Sequence, residues 1–338
     1  MSDVVAVILM VGITAYALFG GADFGAGFWD LTAGAAERGE TPRAVISHSI
    51  GPVWEANHVW LIFCLVVLWT AFADAFASIT LTLFVPLSIA AFGIVLRGSS
   101  FAFRKEVTRT SSQRNFGAAF ASSSVLVPYC MGAVAGAIAS GHVPAGGKAG
   151  DPWSSWINAT SILGGVLAVT VCAYLAAVYL VWDARRLGQE EMVEYFRRRA
   201  VGAAVAAGVV AFFGFFVLHD YARYVFDGLT SRALALVILS GICGIGSLVL
   251  LLRENQSGAR VLAMGAVATV IIGWGVAQYP YILPTSLKLS AAAAPDPTLW
   301  SVLVVFVIAA VVILPSLGLL YYLDQRDLLQ TTAEPEPS

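Results

Sequence analysis

Asp23, Glu55, Asn57 and His58 can each carry a proton or hold a group that does, and all sit in or beside long apolar runs. Three of them belong to Gly51-Pro52-Val53-Trp54-Glu55-Ala56-Asn57-His58-Val59-Trp60, the start of a run that lasts to Phe72. Continued as a helix from Pro52, this stretch puts Glu55 with His58, Trp54 with His58 and Asn57 with Trp60 on shared faces, so one side is polar and aromatic. A carboxylate at bilayer depth costs about 2.5–3.5 kcal/mol on insertion scales, and such a group usually faces a partner, a cavity or an ion path. Two acids on neighbouring helices can pass a proton through bound water. That places Glu55 and Asp23 on a candidate proton path, with His58 beside them. Plainer readings stand next to this one. A late helix start would leave Glu55 in a first turn at interface depth, where the helix dipole favours an acid. Asp23 could cap a kink, and a lone membrane histidine serves in packing as well as in ligation, because a single imidazole needs a partner.

The elements that must position these groups follow from composition. The chain has 338 residues, of which 59% are apolar and 12% charged, with mean hydropathy +0.81. That is too little charge for a soluble domain of this size and indicates an all-α polytopic membrane protein. Runs of about 20 residues, long enough to span a bilayer, fall near 4–22, 51–72, 76–96, 117–139, 157–181, 200–218, 233–252, 261–279 and 299–322, which predicts nine transmembrane helices. Loops two apart share a side. The loops after the first, third, fifth and seventh runs, with the C-terminus, hold fifteen arginines and lysines; the others hold only Lys148, Arg223, Arg232 and Lys288. This bias puts the N-terminus outside and the C-terminus in the cytoplasm. Net charge is −2 and says nothing of nucleic acid or acidic partners. Cys64, Cys130, Cys172 and Cys243 lie singly in apolar runs and read as structural thiols, without a disulfide framework or a zinc site. No cleavable signal peptide is evident, since a basic n-region is missing.

Other stretches carry less chemistry. Gly20-Gly21-Ala22-Asp23-Phe24-Gly25-Ala26-Gly27 allows close backbone approach around Asp23. Arg97 and Arg104 mark a basic junction after the third run, where snorkelling to the interface is the default expectation. The connection 183–199 has charges of both signs, and Tyr195 and Phe196 look like interface anchors. His142 and His219 read as solvent-exposed. Pro280 and Pro284 end the eighth run in a structured outer exit. The last residues, 331–338, are rich in Glu, Pro, Thr and Ser and should form a disordered tail.

Four motifs in order carry a resemblance: Asp23-Phe24-Gly25-x-Gly27; Pro52-x-Trp54-Glu55-x-Asn57-x-Val59-Trp60-Leu61-Ile62; Arg97-x-x-x-Phe101-x-x-Arg104; and Tyr279-Pro280-Tyr281-x-x-Pro284-x-Ser286. Together they make the chain similar to subunit II of the cytochrome bd-type quinol oxidases. The resemblance implies a heterodimer in the cytoplasmic membrane with a subunit I that carries two haems b, one haem d and the quinol site. The complex would oxidise quinol and reduce dioxygen to water with protons drawn from the cytoplasm. It further implies two four-helix bundles, about 1–140 and 157–279, plus a peripheral last helix near 299–322, all in one transmembrane domain over 1–330. Glu55 and Asp23 take the family's acid positions, His58 lies next to that path, and Trp54, Asn57, Trp60, Arg97 and Arg104 would support the haem-bearing partner. This chain is expected to bind no haem or metal itself. A structural quinone or lipid, and small accessory subunits, are compatible with the resemblance. One departure concerns Gly20, three residues before Asp23, where the family commonly has a second acid.

Read without the resemblance, acids in glycine- and proline-interrupted spans would also suit a proton- or sodium-coupled secondary transporter. The later spans offer no matching pair of acids, which inverted repeats would supply. A membrane assembly partner without a redox role is the third class.

Overall fold

The computed structural model describes residues 1–34, 39–50, 54–106, 110–254 and 256–325, with the side chains at 50, 54–56, 101–106, 110–116, 256, 321 and 324–325 outside that set. Thirteen helices and one small hairpin make up the described chain. The elements are α1 (Ser2–Thr32), α2 (Glu40–Ile50), α3 (Trp54–Ala71), α4 (Ala73–Thr82), α5 (Phe84–Glu106), α6 (Thr110–Ala139) and α7 (Ala159–Arg186). There follow α8 (Glu190–Tyr221), α9 (Arg223–Thr230), α10 (Leu234–Leu252), α11 (Gln256–Gln278), β1 (Tyr281–Leu283), β2 (Leu287–Lys288), α12 (Leu289–Ala292) and α13 (Asp296–Gln325). Seven helices are long and apolar enough to cross a membrane, and an eighth span results if the bent pair α3/α4 is counted as one.

The chain is an all-helical, polytopic membrane protein, and several boundaries differ from those expected. The apolar run after Phe72 does not continue as a span over 76–96. Phe72 leaves helical geometry (φ −137°, ψ 55°), and α4 turns away by 118°. The bend is held by buried packing of Phe72 and Leu83 and by the 140–153 loop, whose Gly147 and Gly150 amides donate to Ser78 and Thr82 at 3.0 Å each. The next helix therefore starts at Phe84 and runs through Glu106, which draws Arg97 into its length. Phe196, expected at the interface, is fully buried with Ala26, Val45, Phe120 and Leu180. His142 and His219 are exposed, bonded to Ser140 and Asp220 respectively. The structured exit expected at Pro280 and Pro284 takes the form of the β1–β2 hairpin. The tail over 331–338 lies outside the described residues.

Helix α1 is the hub, packing on α3, α6, α7 and α11. Its glycines explain how it comes so close: a Cβ at Gly25 would fall on the carbonyl oxygen of Cys172 in α7, so the two backbones touch there. Trp29 then donates its indole N–H to the Ala173 carbonyl at 2.8 Å, fixing the rotation of α1 on α7. Helices α6 and α7 approach through Gly132 and Gly164 in the same way. Helix α13 packs on α3 and α1 and presents a long exposed apolar face.

Candidate functional site

The close approach of α1 to its neighbours buries a polar cluster at the middle of the helix. Asp23 is 7% exposed, Asn57 3% and Arg97 1%. Asn57, from the first turns of α3, donates its amide to Asp23 Oδ2 at 2.5 Å and to the Phe19 carbonyl at 3.5 Å. Arg97, from α5, donates through Nη2 to the Asp23 backbone carbonyl at 2.6 Å and through Nε to Ser124 Oγ of α6 at 3.0 Å. Its guanidinium carbon lies 5.0 Å from the Phe24 ring centre and 4.6 Å from that of Phe120. A buried cation needs hydrogen bonds and aromatic faces to replace its water, and Arg97 has both. The snorkelling expectation for Arg97 is thereby overturned, because the helix that carries it begins eight residues later than hydropathy placed it.

His58 lies next to the cluster, its ring 6.3 Å from that of Tyr16 and 6.0 Å from that of Phe24. Trp60 makes a separate aromatic contact. Its ring meets Phe63, three residues further along α3, edge-on at 6.4 Å, and Phe63 in turn meets Phe306 of α13. The side chains of Glu55, Trp54 and Arg104 lie outside the described residues; the backbone of Glu55 falls in the first turn of α3, two residues before Asn57.

Three participants were not singled out from the sequence. Ser124 and Phe120 complete the cage around Arg97, and a serine or phenylalanine in an apolar helix carries no signal that sets it apart. Tyr16 is the third: it stands seven residues before Asp23 on the same face of α1, and its buried hydroxyl has no hydrogen-bond partner among the described residues. At Gly20, three residues before Asp23, a Cβ would come within 2.9 Å of the Tyr16 ring. The aromatic ring takes that space.

Among the described residues no group of three or more histidines, cysteines or acids could hold a metal ion. The four cysteines are free thiols.

Buried acid, amide and guanidinium at the crossing of four membrane helices define a polytopic membrane protein whose charge is turned inward, toward its own helix seams. The chain belongs to the cytochrome bd terminal oxidase subunit II family, which it matches over residues 1–324. It is 24% identical over 269 residues to the cytochrome bd ubiquinol oxidase subunit 2 of Bacillus subtilis, covering 79% of this chain and 77% of the relative. It is 25% identical over 331 residues to the cytochrome bd-I ubiquinol oxidase subunit 2 of Escherichia coli K12, covering 86% and 83%. Its fold is similar to a chain in the structure of the bd oxidase from Geobacillus thermodenitrificans, with a TM-score of 0.72, 23% identity, and 95% and 98% of the two chains covered.

Proposed function

We propose that this chain is the second subunit of a membrane quinol:oxygen oxidoreductase, that it scaffolds a haem-bearing subunit I, and that it lends that partner a proton path from the cytoplasm. The two haems b, the haem d and the quinol site belong to the partner, whose haems supply the oxygen-reducing chemistry. Family membership supports the complex and weighs against a secondary transporter. The observation that carries the path is the 2.5 Å bond from Asn57 to Asp23, because it joins the acid-bearing motifs of α1 and α3 inside the protein. Glu55, two residues from Asn57, would receive protons with Asp23 as its neighbour. Arg97 holds a positive charge there, which opposes the entry of other cations. His58 borders the path. Trp54, Trp60 and Arg104 are assigned to support of the partner.

Nine spans in two four-helix bundles, with α13 peripheral, remain the arrangement we favour. The α3–α4 bend and the 23-residue α5 are compatible with it. The excess of arginine in alternate loops supports an external N-terminus and a cytoplasmic C-terminus.

The test is Glu55→Gln in the complex isolated from its native membrane. Quinol-driven oxygen consumption should fall while the reduced-minus-oxidised haem spectrum stays as in the parent. Unchanged turnover would reject the proton role and leave the scaffold. A colourless single chain, without a second subunit, would reject the oxidase assignment itself.

A further inference from the structure

Arginines near the junctions of α7, α8, α10 and α11 are of two kinds. Arg197 and Arg198 of α8 pair with carboxylates: Arg197 with Glu194 at 2.5 Å and with Glu254 at 2.7 Å, Arg198 with Glu194 at 2.6 Å. Arg260 of α11 has no carboxylate partner among the described residues. It lies over two rings of α7, its guanidinium carbon 4.7 Å from the centre of the Tyr179 ring and 6.0 Å from that of Trp182. Tyr179 and Trp182 are three residues apart and share a helix face, so α7 offers a two-ring plate on which α11 lays a cation. Stacking holds a guanidinium but leaves its charge in place. The acid nearest in sequence, Glu254, is engaged by Arg197, and the first turn of α11 holds no acid, so the positive end of that helix's dipole adds to the same field. Acceptors are short here as well. The Tyr179 hydroxyl and the Trp182 Nε1 are buried without a hydrogen-bond partner among the described residues, and an indole N–H can only donate. The depth is that of lipid headgroups: α7 ends four residues after Trp182, with Arg185 and Arg186 in its last turn, and Trp and Tyr settle at the membrane–water boundary. Val261, next to Arg260, is 68% exposed, so this part of α11 borders the bilayer.

We propose that Arg260, Tyr179 and Trp182 form a seat, in the groove between α7 and α11, for the phosphate of an anionic phospholipid. A phosphate supplies both things that are short: negative charge for the guanidinium, in the planar paired geometry that arginine favours, and acceptor oxygens for the phenol and indole donors. Basic pockets between membrane helices hold lipid headgroups in this way. An arginine that only reached for water would need neither the ring plate nor the donors, and an uncharged carbonyl ligand would leave the cation unmatched. The seat does not depend on the proton path.

The protein is isolated from its native membrane with whatever subunit accompanies it, stripped of loosely held lipid in detergent, and titrated with phosphatidylglycerol, phosphatidylcholine or inorganic phosphate. Native mass spectrometry counts the lipids retained, and melting temperature is followed alongside. Phosphatidylglycerol should occupy one more site than phosphatidylcholine and raise the melting temperature further. Arg260→Gln should lose that one lipid and most of the extra rise, whereas Arg198→Gln, which removes an arginine already paired with an acid, should lose neither. Parental retention by Arg260→Gln, or an equal loss in Arg198→Gln, overturns the proposal. Stabilisation by inorganic phosphate that Arg260→Gln abolishes would make this a free-anion site and overturn the lipid. Where Arg260→Gln fails to assemble, Trp182→Phe decides: it keeps a ring and removes the N–H, and should weaken phosphatidylglycerol retention severalfold, so parental retention by that variant overturns the seat.

Discussion

Arg97 reaches the main chain of Asp23: its Nη2 lies 2.6 Å from the Asp23 carbonyl oxygen, while the Asp23 carboxylate is held by Asn57. The cation is thus in the acid's electrostatic reach without forming an ion pair with it. A direct pair would lock the carboxylate and remove it from proton traffic. Bonding to the carbonyl lets Arg97 fix the position of α1 against α5 and leaves the carboxylate to a neutral donor.

This arrangement makes Arg97 a structural keystone, and truncating it should be costly. Arg97→Ala leaves the Asp23 carbonyl and Ser124 without their donor and opens a void between Phe24 and Phe120. Breaking a buried charged network costs about 3–5 kcal/mol, enough to impair assembly. Arg97→Lys should recover only part of it, since an ammonium cannot serve Ser124 and Asp23 through a planar fork. Melting temperature and haem-to-protein ratio of the purified complex would show this; parental values for Arg97→Ala would refute it.

Asn57 and Asp23 should be energetically coupled. Asn57→Ala removes a donor from a buried carboxylate, at about 1–3 kcal/mol, and Asp23→Asn removes the charge that the donor serves. Their double variant should lose less than the sum, with an interaction energy of about 0.5–3 kcal/mol in a double-mutant cycle on thermal or denaturant stability. Strict additivity would mean that the 2.5 Å contact contributes nothing to the fold.

Much of this cluster was legible because intramembrane acids are expensive. Asp23 announces itself by type alone, and Asn57 by its place in the polar start of the apolar run that ends at Phe72. Arg97 was visible but misplaced. Hydropathy records how apolar a run is and not the direction in which it travels: it set a boundary at Phe72, where the chain turns by 118°, but gave no sign of the second break at Leu83, so the following helix was drawn too early. Ala73–Thr82 is apolar enough to pass as span, yet Ser78 and Thr82 are spent on capping the 140–153 loop, a tertiary fact.

The glycine at position 25 should tolerate no side chain. Its absent Cβ is where the Cys172 carbonyl of α7 sits, and a backbone oxygen on a packed helix cannot swing aside as a side chain can. Gly25→Ala must push α1 from α7, lengthening the Trp29–Ala173 bond as it does so. Overpacking of this kind costs about 1–3 kcal/mol or more. Gly202 offers the control, since a Cβ there meets nothing within 4 Å. Gly25→Ala should lower the yield and melting temperature of the complex, and Gly202→Ala should leave both near parental; equal behaviour of the two would contradict the close α1–α7 contact.

Tyr16 supplies a prediction of the opposite sign. Its hydroxyl is buried and makes no hydrogen bond among the described residues, and a buried polar group left unsatisfied costs about 1–3 kcal/mol. Tyr16→Phe keeps the ring that lies over Gly20 and between α1 and His58 and removes only the oxygen. On packing grounds alone the variant should be more stable than the parent, with a higher melting temperature and unchanged haem content. Tyr16→Ala, which also removes the ring, should be less stable by about 3–5 kcal/mol, the usual scale for truncating a buried aromatic. A Tyr16→Phe complex that melts lower than the parent would show that the hydroxyl has a bonding partner in the assembled oxidase.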